Sequence, residues 1–116
     1  MTLSLGVEAQ AITPGDAAEI QSGVSLVGDV EASQRLKAHI GQLEAQQPQT
    51  DEERANVQFR YDYGMYIMDD VGQSYKYTLL NSLPWLQERS DQAFENSGIR
   101  VDAQEVYDEM IDLLRS

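Results

Sequence analysis

Apolar side chains recur at helical spacing through the centre of the chain. Thr50 followed three residues later by Glu53 forms a capping box, a pattern that marks a helix start. Pro48 precedes this start and Pro84 follows the apolar run, and proline favours a break in a helix. At about 100° per residue, one face of this stretch collects large side chains: Val57, Tyr61, Met65, Met68, Val71, Tyr75, Leu79 and Leu83. The pattern predicts one long helix over 51–82.

The same stretch supports a second interpretation. Residues 57–63 and 75–79 alternate strictly between apolar and polar side chains, as half-buried strands do, and tyrosine favours strands. Gly64 and Gly72 each cost a helix up to about 1 kcal/mol, although in a helix they can also admit a close neighbour or be tolerated on the surface. The alternative fold is therefore α+β, with a β-hairpin around 57–80. We favour the helix because its strong start signal would otherwise open fewer than two turns.

A second long helix is predicted over 27–47, before the central one. Asp29 is placed to cap it, and Glu31 with Arg35 forms a favourable (i, i+4) pair. Its apolar stripe is modest and consists of Leu36, Ile40 and Leu43. Because few residues separate its end from Thr50, we expect the two long helices to pack as an antiparallel hairpin.

Two shorter amphipathic helices are predicted in the C-terminal third. The first opens with Ser82 or Leu83 at the cap position and ends at Gly98, which suits a left-handed cap. The second begins at Asp102, a strong N-cap residue, and its apolar side lies opposite an acidic one. The predicted fold class is thus mainly α: a helical hairpin, about 27–47 and 51–82, plus two shorter amphipathic helices.

The predicted domain organisation is one small helical domain over 25–116, preceded by an N-terminal arm over 1–24. The arm is expected to be flexible or to become ordered on a partner. Within it, Thr13 as cap and Pro14 at the first helical position predict a short helix that ends before Gly23. Upstream, apolar residues alternate with small polar ones, as in a short strand or an extended segment: Leu3, Leu5 and Val7.

The charge balance restricts the partners that this chain can bind. Its formal net charge is −12, from 20 acidic and 8 basic side chains among 116 residues. Phosphate contacts require Lys and Arg, so we expect no direct nucleic-acid binding, whereas a basic protein is a suitable partner. No secretory signal and no apolar run of about 20 residues is visible, so we expect no membrane insertion. The expected location is the cytoplasm or a soluble assembly.

Residues that could carry catalysis are scarce. Cysteine is absent, lysine occurs twice, and no nucleotide-binding or hydrolase motif is present. His39, the single histidine, is most simply a solvated side chain. Asp69 and Asp70 form the one acidic doublet among the apolar positions 57–83, but neighbouring helical residues point about 100° apart and cannot easily share an ion. We therefore expect no enzymatic activity, no metal and no cofactor.

The aromatic content of the central stretch favours protein binding instead. Five of the six tyrosines lie there, and one small core cannot enclose them all if the stretch is a single helix. Tyrosine and tryptophan are enriched in the cores of protein interfaces. The predicted protein interface comprises Tyr61, Tyr63, Tyr66, Tyr77 and Trp85. The predicted function is a non-enzymatic interaction module: a subunit, adaptor or chaperone of a larger bacterial or viral protein assembly. Its partner is another protein or further copies of the chain itself.

The acidic faces of the last two helices support an alternative function. An acidic inhibitor can mimic nucleic acid by placing its carboxylates where a basic groove expects phosphates. The target would then be a DNA-binding protein or a nuclease. Acidic helix faces are also common on ordinary solvated surfaces, so the two interpretations must be separated by the salt dependence of binding.

Overall fold

The computed structural model describes residues 12–116, and this range folds into helices. Their bounds are Pro14–Ser22 (α1), Asp29–Ala45 (α2), Asp51–Met68 (α3), Tyr75–Leu80 (α4), Leu83–Ser97 (α5) and Ala103–Leu114 (α6). The predicted mainly α fold is confirmed. Residues 57–80 form no strand, so the α+β alternative is wrong. The predicted extended segment around Leu3, Leu5 and Val7 lies outside the described residues.

Most helix ends form at the predicted signals. The Thr50 hydroxyl accepts from the backbone N–H of Glu53 at 3.1 Å, and Glu53 accepts from the N–H of Thr50 at 3.2 Å. Thr13 caps α1 with the same reciprocal pair, and Asp102 caps α6. Gly98 ends α5 in the left-handed conformation, with φ of 75°. These ends were predictable because each depends on residues a few positions apart.

The cap of α2 differs from the prediction. Asp29 is the first helical residue, and Gly28 occupies the cap position without a side-chain hydrogen bond. The chain enters α2 under tertiary constraints, because the N–H of Val27 donates to the carbonyl of Leu114 at 2.9 Å and the Tyr75 hydroxyl donates to the carbonyl of Val27. The Asp29 carboxylate still lies in the first turn, where the helix dipole favours negative charge.

The central stretch is not one helix. The prediction of a continuous helix over 51–82 is wrong between 69 and 74, where turns separate α3 from α4. Gly72 adopts φ of 92°, a left-handed value that no right-handed helix accommodates. The Thr78 hydroxyl donates back to the Asp70 carboxylate across this bend. The tertiary bonds of Tyr75 and Thr78 therefore stabilise a change of direction at which Gly72 is the permissive residue.

The hairpin of α2 and α3 packs closely at Gly64. A Cβ atom at this position would lie 3.3 Å from Cγ1 of Ile40, so the missing side chain lets the two helices approach. Of the two roles considered for this glycine, close approach is confirmed. At the other end of the hairpin, the guanidinium of Arg35 donates to the carbonyls of Leu113 and Arg115, which joins α2 to the end of α6.

The short helix predicted after Thr13 is present as α1, and it packs against α4. The Glu19 carboxylate connects the two helices, because one oxygen lies 3.0 Å from Nζ of Lys76 and the other accepts from the N–H of Leu26 at 2.8 Å. The predicted division into an arm over 1–24 and a domain over 25–116 stays a prediction.

The main core lies where α2 to α6 meet. Its fully enclosed side chains include Leu36, Tyr63, Ile67, Tyr75, Leu79, Leu86, Val101 and Leu114. Leu86 from α5 and Val101 before α6 join residues of the hairpin, so the C-terminal helices belong to the same core. In the part of the chain that the structure describes, no helix is both long and apolar enough to cross a bilayer.

Candidate functional site

An aromatic cluster joins α3 to α5 and forms the centre of the candidate site. The rings of Tyr66 and Trp85 stack almost in parallel, with centroids 4.2 Å apart and 8° between their planes. The ring of Tyr63 lies 6.0 Å from that of Trp85 at 28°. Stacked aromatic pairs add about 0.5–1.5 kcal/mol beyond the area that they bury. The indole is therefore packed against two tyrosine rings of α3.

Tyr63 supports this cluster from inside the protein. It is 0% exposed, and its hydroxyl lies 2.6 Å from that of Ser82, which is also buried. The Ser82 hydroxyl has one hydrogen, which it donates to the carbonyl of Leu79 at 2.7 Å, so Tyr63 donates to Ser82. Burial raises the pKa of Tyr63 above its ordinary value, which keeps the phenol protonated. Tyr63 positions the cluster and offers no surface of its own.

Arg89 covers part of the Trp85 ring from one turn further along α5. Its guanidinium carbon lies 4.6 Å from the ring centroid, which is a cation–π contact. The Arg89 side chain is otherwise exposed, so this contact carries about 0.5–1 kcal/mol at most. The pair places a positive charge and an aromatic ring side by side on the surface.

A groove extends from this cluster between α3 and α5. It has a volume of about 280 Å³ and is called the Trp85 groove below. Phe59 and Trp85 give it an aromatic floor, while Ala55 and Ala93 are too small to fill its other end. Polar side chains complete the lining, and they are Gln58, Asp62, Arg89, Gln92 and Asn96. An apolar floor with a polar rim is the usual anatomy of a protein contact.

A larger hollow of about 430 Å³ lies at the turn between α2 and α3, but it is a weaker candidate. No aromatic side chain lines it, and much of its wall consists of glutamine and asparagine, with Glu53 and Arg60 among the rest. Hot spots at interfaces are enriched in tryptophan, tyrosine and arginine, which the Trp85 groove and its supporting cluster contain.

The structure brings together three of the five predicted interface residues. Tyr63, Tyr66 and Trp85 form the cluster, and two of these have partly exposed rings. Tyr61 lies on α3 about 140° around the helix from Tyr66. Tyr77 is 49% exposed and lies on α4, the helix that packs against α1. Neither forms an aromatic pair with the cluster within residues 12–116. Their assignment to an interface stays a prediction.

Of the nine residues that line the groove, only Trp85 was predicted from the sequence, and the eight that were missed are Ala55, Gln58, Phe59, Asp62, Arg89, Gln92, Ala93 and Asn96. A signal for one of them was present, because Arg89 follows Trp85 by one helical turn and the two side chains share a face. Phe59 precedes Tyr63 by the same interval. The two alanines carried no signal, since a small side chain on a helix does not indicate that a groove lies beside it.

Most of the basic side chains form ion pairs within the protein. Six of the eight form ion pairs: Arg35, Arg54, Arg60, Lys76, Arg100 and Arg115. Of the remaining two, Arg89 covers Trp85 and Lys37 is exposed on α2. Asp62 in the groove accepts a hydrogen bond from Gln58 at 2.9 Å but pairs with no base among residues 12–116. The lining of the groove therefore carries one carboxylate and one guanidinium, neither of them in an ion pair within the described residues.

The ion pair of Arg60 and Glu109 connects α3 to α6 on another side of the fold. Nε and a terminal nitrogen of Arg60 donate to the two carboxylate oxygens at 2.8 and 3.0 Å. These bonds lower the pKa of Glu109 and raise that of Arg60. Burial lowers the pKa of the nearby His39, and the negative charge of Glu109 partly opposes this lowering. The described residues hold no group of three side chains suited to a metal ion.

The chain matches no protein-family model, no curated protein sequence and no solved structure. The case for the Trp85 groove as the candidate site therefore rests on its geometry and chemistry.

Proposed function

We propose that this protein is a non-enzymatic interaction module, a subunit, adaptor or chaperone of a larger protein assembly, and that its partner docks at the Trp85 groove. The observation that supports the proposal is a surface groove whose aromatic floor is already held in place. Trp85 is stacked on Tyr66 and covered by Arg89, so little side-chain freedom remains to be lost on binding. Tryptophan, tyrosine and arginine are also the residues that most often dominate binding energy.

The open form of the groove favours a protein partner over an enclosed small molecule. Its volume of about 280 Å³ lies at the lower end of the range of about 300–1,000 Å³ that is typical of pockets enclosing drug-sized ligands. It is open along the surface between two helices and can accept a few anchoring side chains of a larger element. The expected absence of enzymatic activity is part of this proposal and stays untested.

A pull-down from the source cell's lysate tests the proposal when a variant that fills the groove is compared with the wild type. Ala93→Gln adds a longer side chain inside the groove and leaves the net charge unchanged. Ala38→Gln makes the same change at an exposed position on α2 and is the matched control. We expect proteins retained at high salt by the wild type and by Ala38→Gln to be lost with Ala93→Gln. The same retained set with all three would refute the proposal.

The nucleic-acid mimic is kept as a second candidate because of α6. Glu105, Asp108 and Asp112 are exposed at intervals of three and four residues on this helix, so their carboxylates share one side. A mimic would retain basic nucleic-acid-binding proteins at low salt, lose them at high salt, and be unaffected by Ala93→Gln. Reversing the charge of Asp108 to Lys would weaken that binding, whereas it would leave a groove partner in place.

A further inference from the structure

We infer that the element entering the Trp85 groove is an amphipathic α-helix with Lys or Arg beside its apolar anchors. The inference rests on the proposed function, because it names the chemistry of the partner at the same site. It is drawn from the shape of the groove, from the secondary structure around it and from the charges along its rim.

The length of the groove fits a helix of about two to three turns. Its α5 side extends from Trp85 to Asn96, which is about 16 Å at 1.5 Å per residue. Its α3 side extends from Ala55 to Asp62, which is about 10 Å. A helix lying between two helices presents anchors at positions i, i+3 or i+4, and i+7, and these match a groove of this length.

The secondary structure around the groove disfavours an extended peptide. Peptides that bind as strands need an exposed sheet edge, whose N–H and C=O groups pair with the peptide backbone. Both walls of the Trp85 groove are helices, whose backbone groups are already bonded internally. A helical partner satisfies its own backbone and requires only side-chain contacts. Gln58, Gln92 and Asn96 supply adaptable polar groups for these.

The charges around the groove call for a basic partner. Asp62 lines the groove without a basic partner in the described part of the chain, and Glu88 and Glu95 are exposed beside the groove-lining residues of α5. The one base in the lining is Arg89, which lies over the Trp85 ring and keeps its positive charge. Asp62, Glu88 and Glu95 together outnumber it, so the local charge is net negative. With a net charge of −12, the whole chain attracts cations over a longer range. Complementary charge mainly sets the choice of partner and the association rate.

Trp85 provides a direct measurement, because it is the only tryptophan in the chain and belongs to the groove. The probe is a tryptophan-free peptide of about 16 residues with leucines at helical spacing and lysines elsewhere. One comparison peptide replaces every lysine with glutamate. A second keeps the lysine peptide's composition but scatters its leucines around the helix, so it measures attraction by charge alone. Each is titrated into the full-length protein while the emission of Trp85 is recorded.

We expect the lysine peptide to cause a saturable change in Trp85 emission and to bind at least about tenfold more tightly than either comparison peptide. Ala93→Gln should abolish the saturable change, and Ala38→Gln should leave it intact. Far-UV circular dichroism of both variants shows whether each is folded. Asp62→Asn should weaken the lysine peptide several-fold while leaving the helix content unchanged, since Asp62 is exposed.

Each contrary result identifies which idea has failed. Equal binding of the lysine and glutamate peptides would overturn the basic character of the partner. Equal binding of the scattered peptide would overturn the helical anchors. If no peptide binds but Ala93→Gln still removes proteins from the pull-down, the inference fails and the proposed function stands. If Ala93→Gln changes neither measurement, the proposed function fails as well.

Discussion

The hydroxyl pair of Tyr63 and Ser82 gives the sharpest test of how α3 is joined to the start of α5. Both side chains are buried, and each hydroxyl has a defined role: Tyr63 donates to Ser82, and Ser82 donates to the carbonyl of Leu79. Removing either hydroxyl alone leaves the other behind in the core. Removing both leaves an apolar contact. The structure therefore predicts that the two substitutions are strongly non-additive.

The expected magnitudes follow from what each variant leaves unpaired. Tyr63→Phe removes one donor, but Ser82 keeps its bond to Leu79, so the cost is about 0.5–1.5 kcal/mol. Ser82→Ala leaves the buried phenol of Tyr63 without an acceptor, which costs about 1–3 kcal/mol. In the Tyr63→Phe background no phenol remains, and the carbonyl of Leu79 still accepts from the backbone N–H of Ser82. There, Ser82→Ala should cost well under about 1 kcal/mol.

The assay is equilibrium unfolding in urea of the wild type, both single variants and the double variant. Circular dichroism follows the helices, and the emission of Trp85 follows the cluster that Tyr63 supports. Coincident transitions would establish that free energies of unfolding can be compared. We expect a coupling free energy of about 1–2 kcal/mol between the two sites, within the range known for residues in direct contact.

Additive costs would refute the reasoning. If Ser82→Ala destabilises the Tyr63→Phe protein as much as the wild type, the phenol is not bonded to Ser82 in the way described. A wild-type-like Ser82→Ala variant would contradict the enclosure of the phenol, since water could then replace the lost acceptor.

The remaining predictions concern turn geometry, charge and the groove. Gly72→Ala should lower the free energy of unfolding by about 1 kcal/mol, because φ is 92° at this position. Gly41→Ala lies within α2 with open space around it and should raise that free energy by about 0.5–1 kcal/mol. Thermal unfolding measures both changes, and changes of the same sign would contradict the bend at Gly72. The hydrogen bonds from Arg60 hold the pKa of Glu109 below its ordinary value of 4.5. Their contribution to the free energy of unfolding is therefore fully present above pH 4.5 and is lost as the pH falls through the pKa of Glu109 in the folded state. Because Glu109 is half exposed, Glu109→Gln should lower the free energy of unfolding by only about 0.5–1 kcal/mol at neutral pH and should leave it unchanged in strong acid. The control Glu95→Gln should leave it unchanged at both pH values. A difference between the two variants that does not change with pH would contradict the prediction. The pull-down and the peptide titration complete the set.

Local signals account for the parts of the fold that were predicted well. The capping boxes at Thr13 and Thr50, the cap at Asp102 and the left-handed Gly98 each involve residues three or four positions apart. Their hydrogen bonds form within one helical turn, so they do not depend on what the helix later packs against. The periodicity of apolar residues likewise indicated helices, and the mainly α fold class followed from it.

The bend at 69–74 was missed because local preference does not decide it. The helical stripe continues through these positions, and a glycine costs a helix only about 1 kcal/mol. The bonds that favour the bend are made by Tyr75 to Val27, which is distant in the sequence, and by Thr78 to Asp70 across the turn. Gly72 permitted both conformations, and the contacts of α4 with the rest of the fold selected one of them.

The candidate site shows the same division between local and tertiary information. Composition by itself determined that the chain is acidic, rich in tyrosine and free of cysteine. Periodicity indicated helices, and capping residues marked where most of them begin or end. The tertiary structure decided which aromatic residues meet: it buried Tyr63, stacked Tyr66 on Trp85 and left Tyr77 on a separate helix. The groove is lined by residues of α3 and α5, two helices that α4 separates in the sequence. Helix ends depend on neighbours along the chain, whereas a binding surface depends on neighbours in space, and only the packing of α3 against α5 creates those.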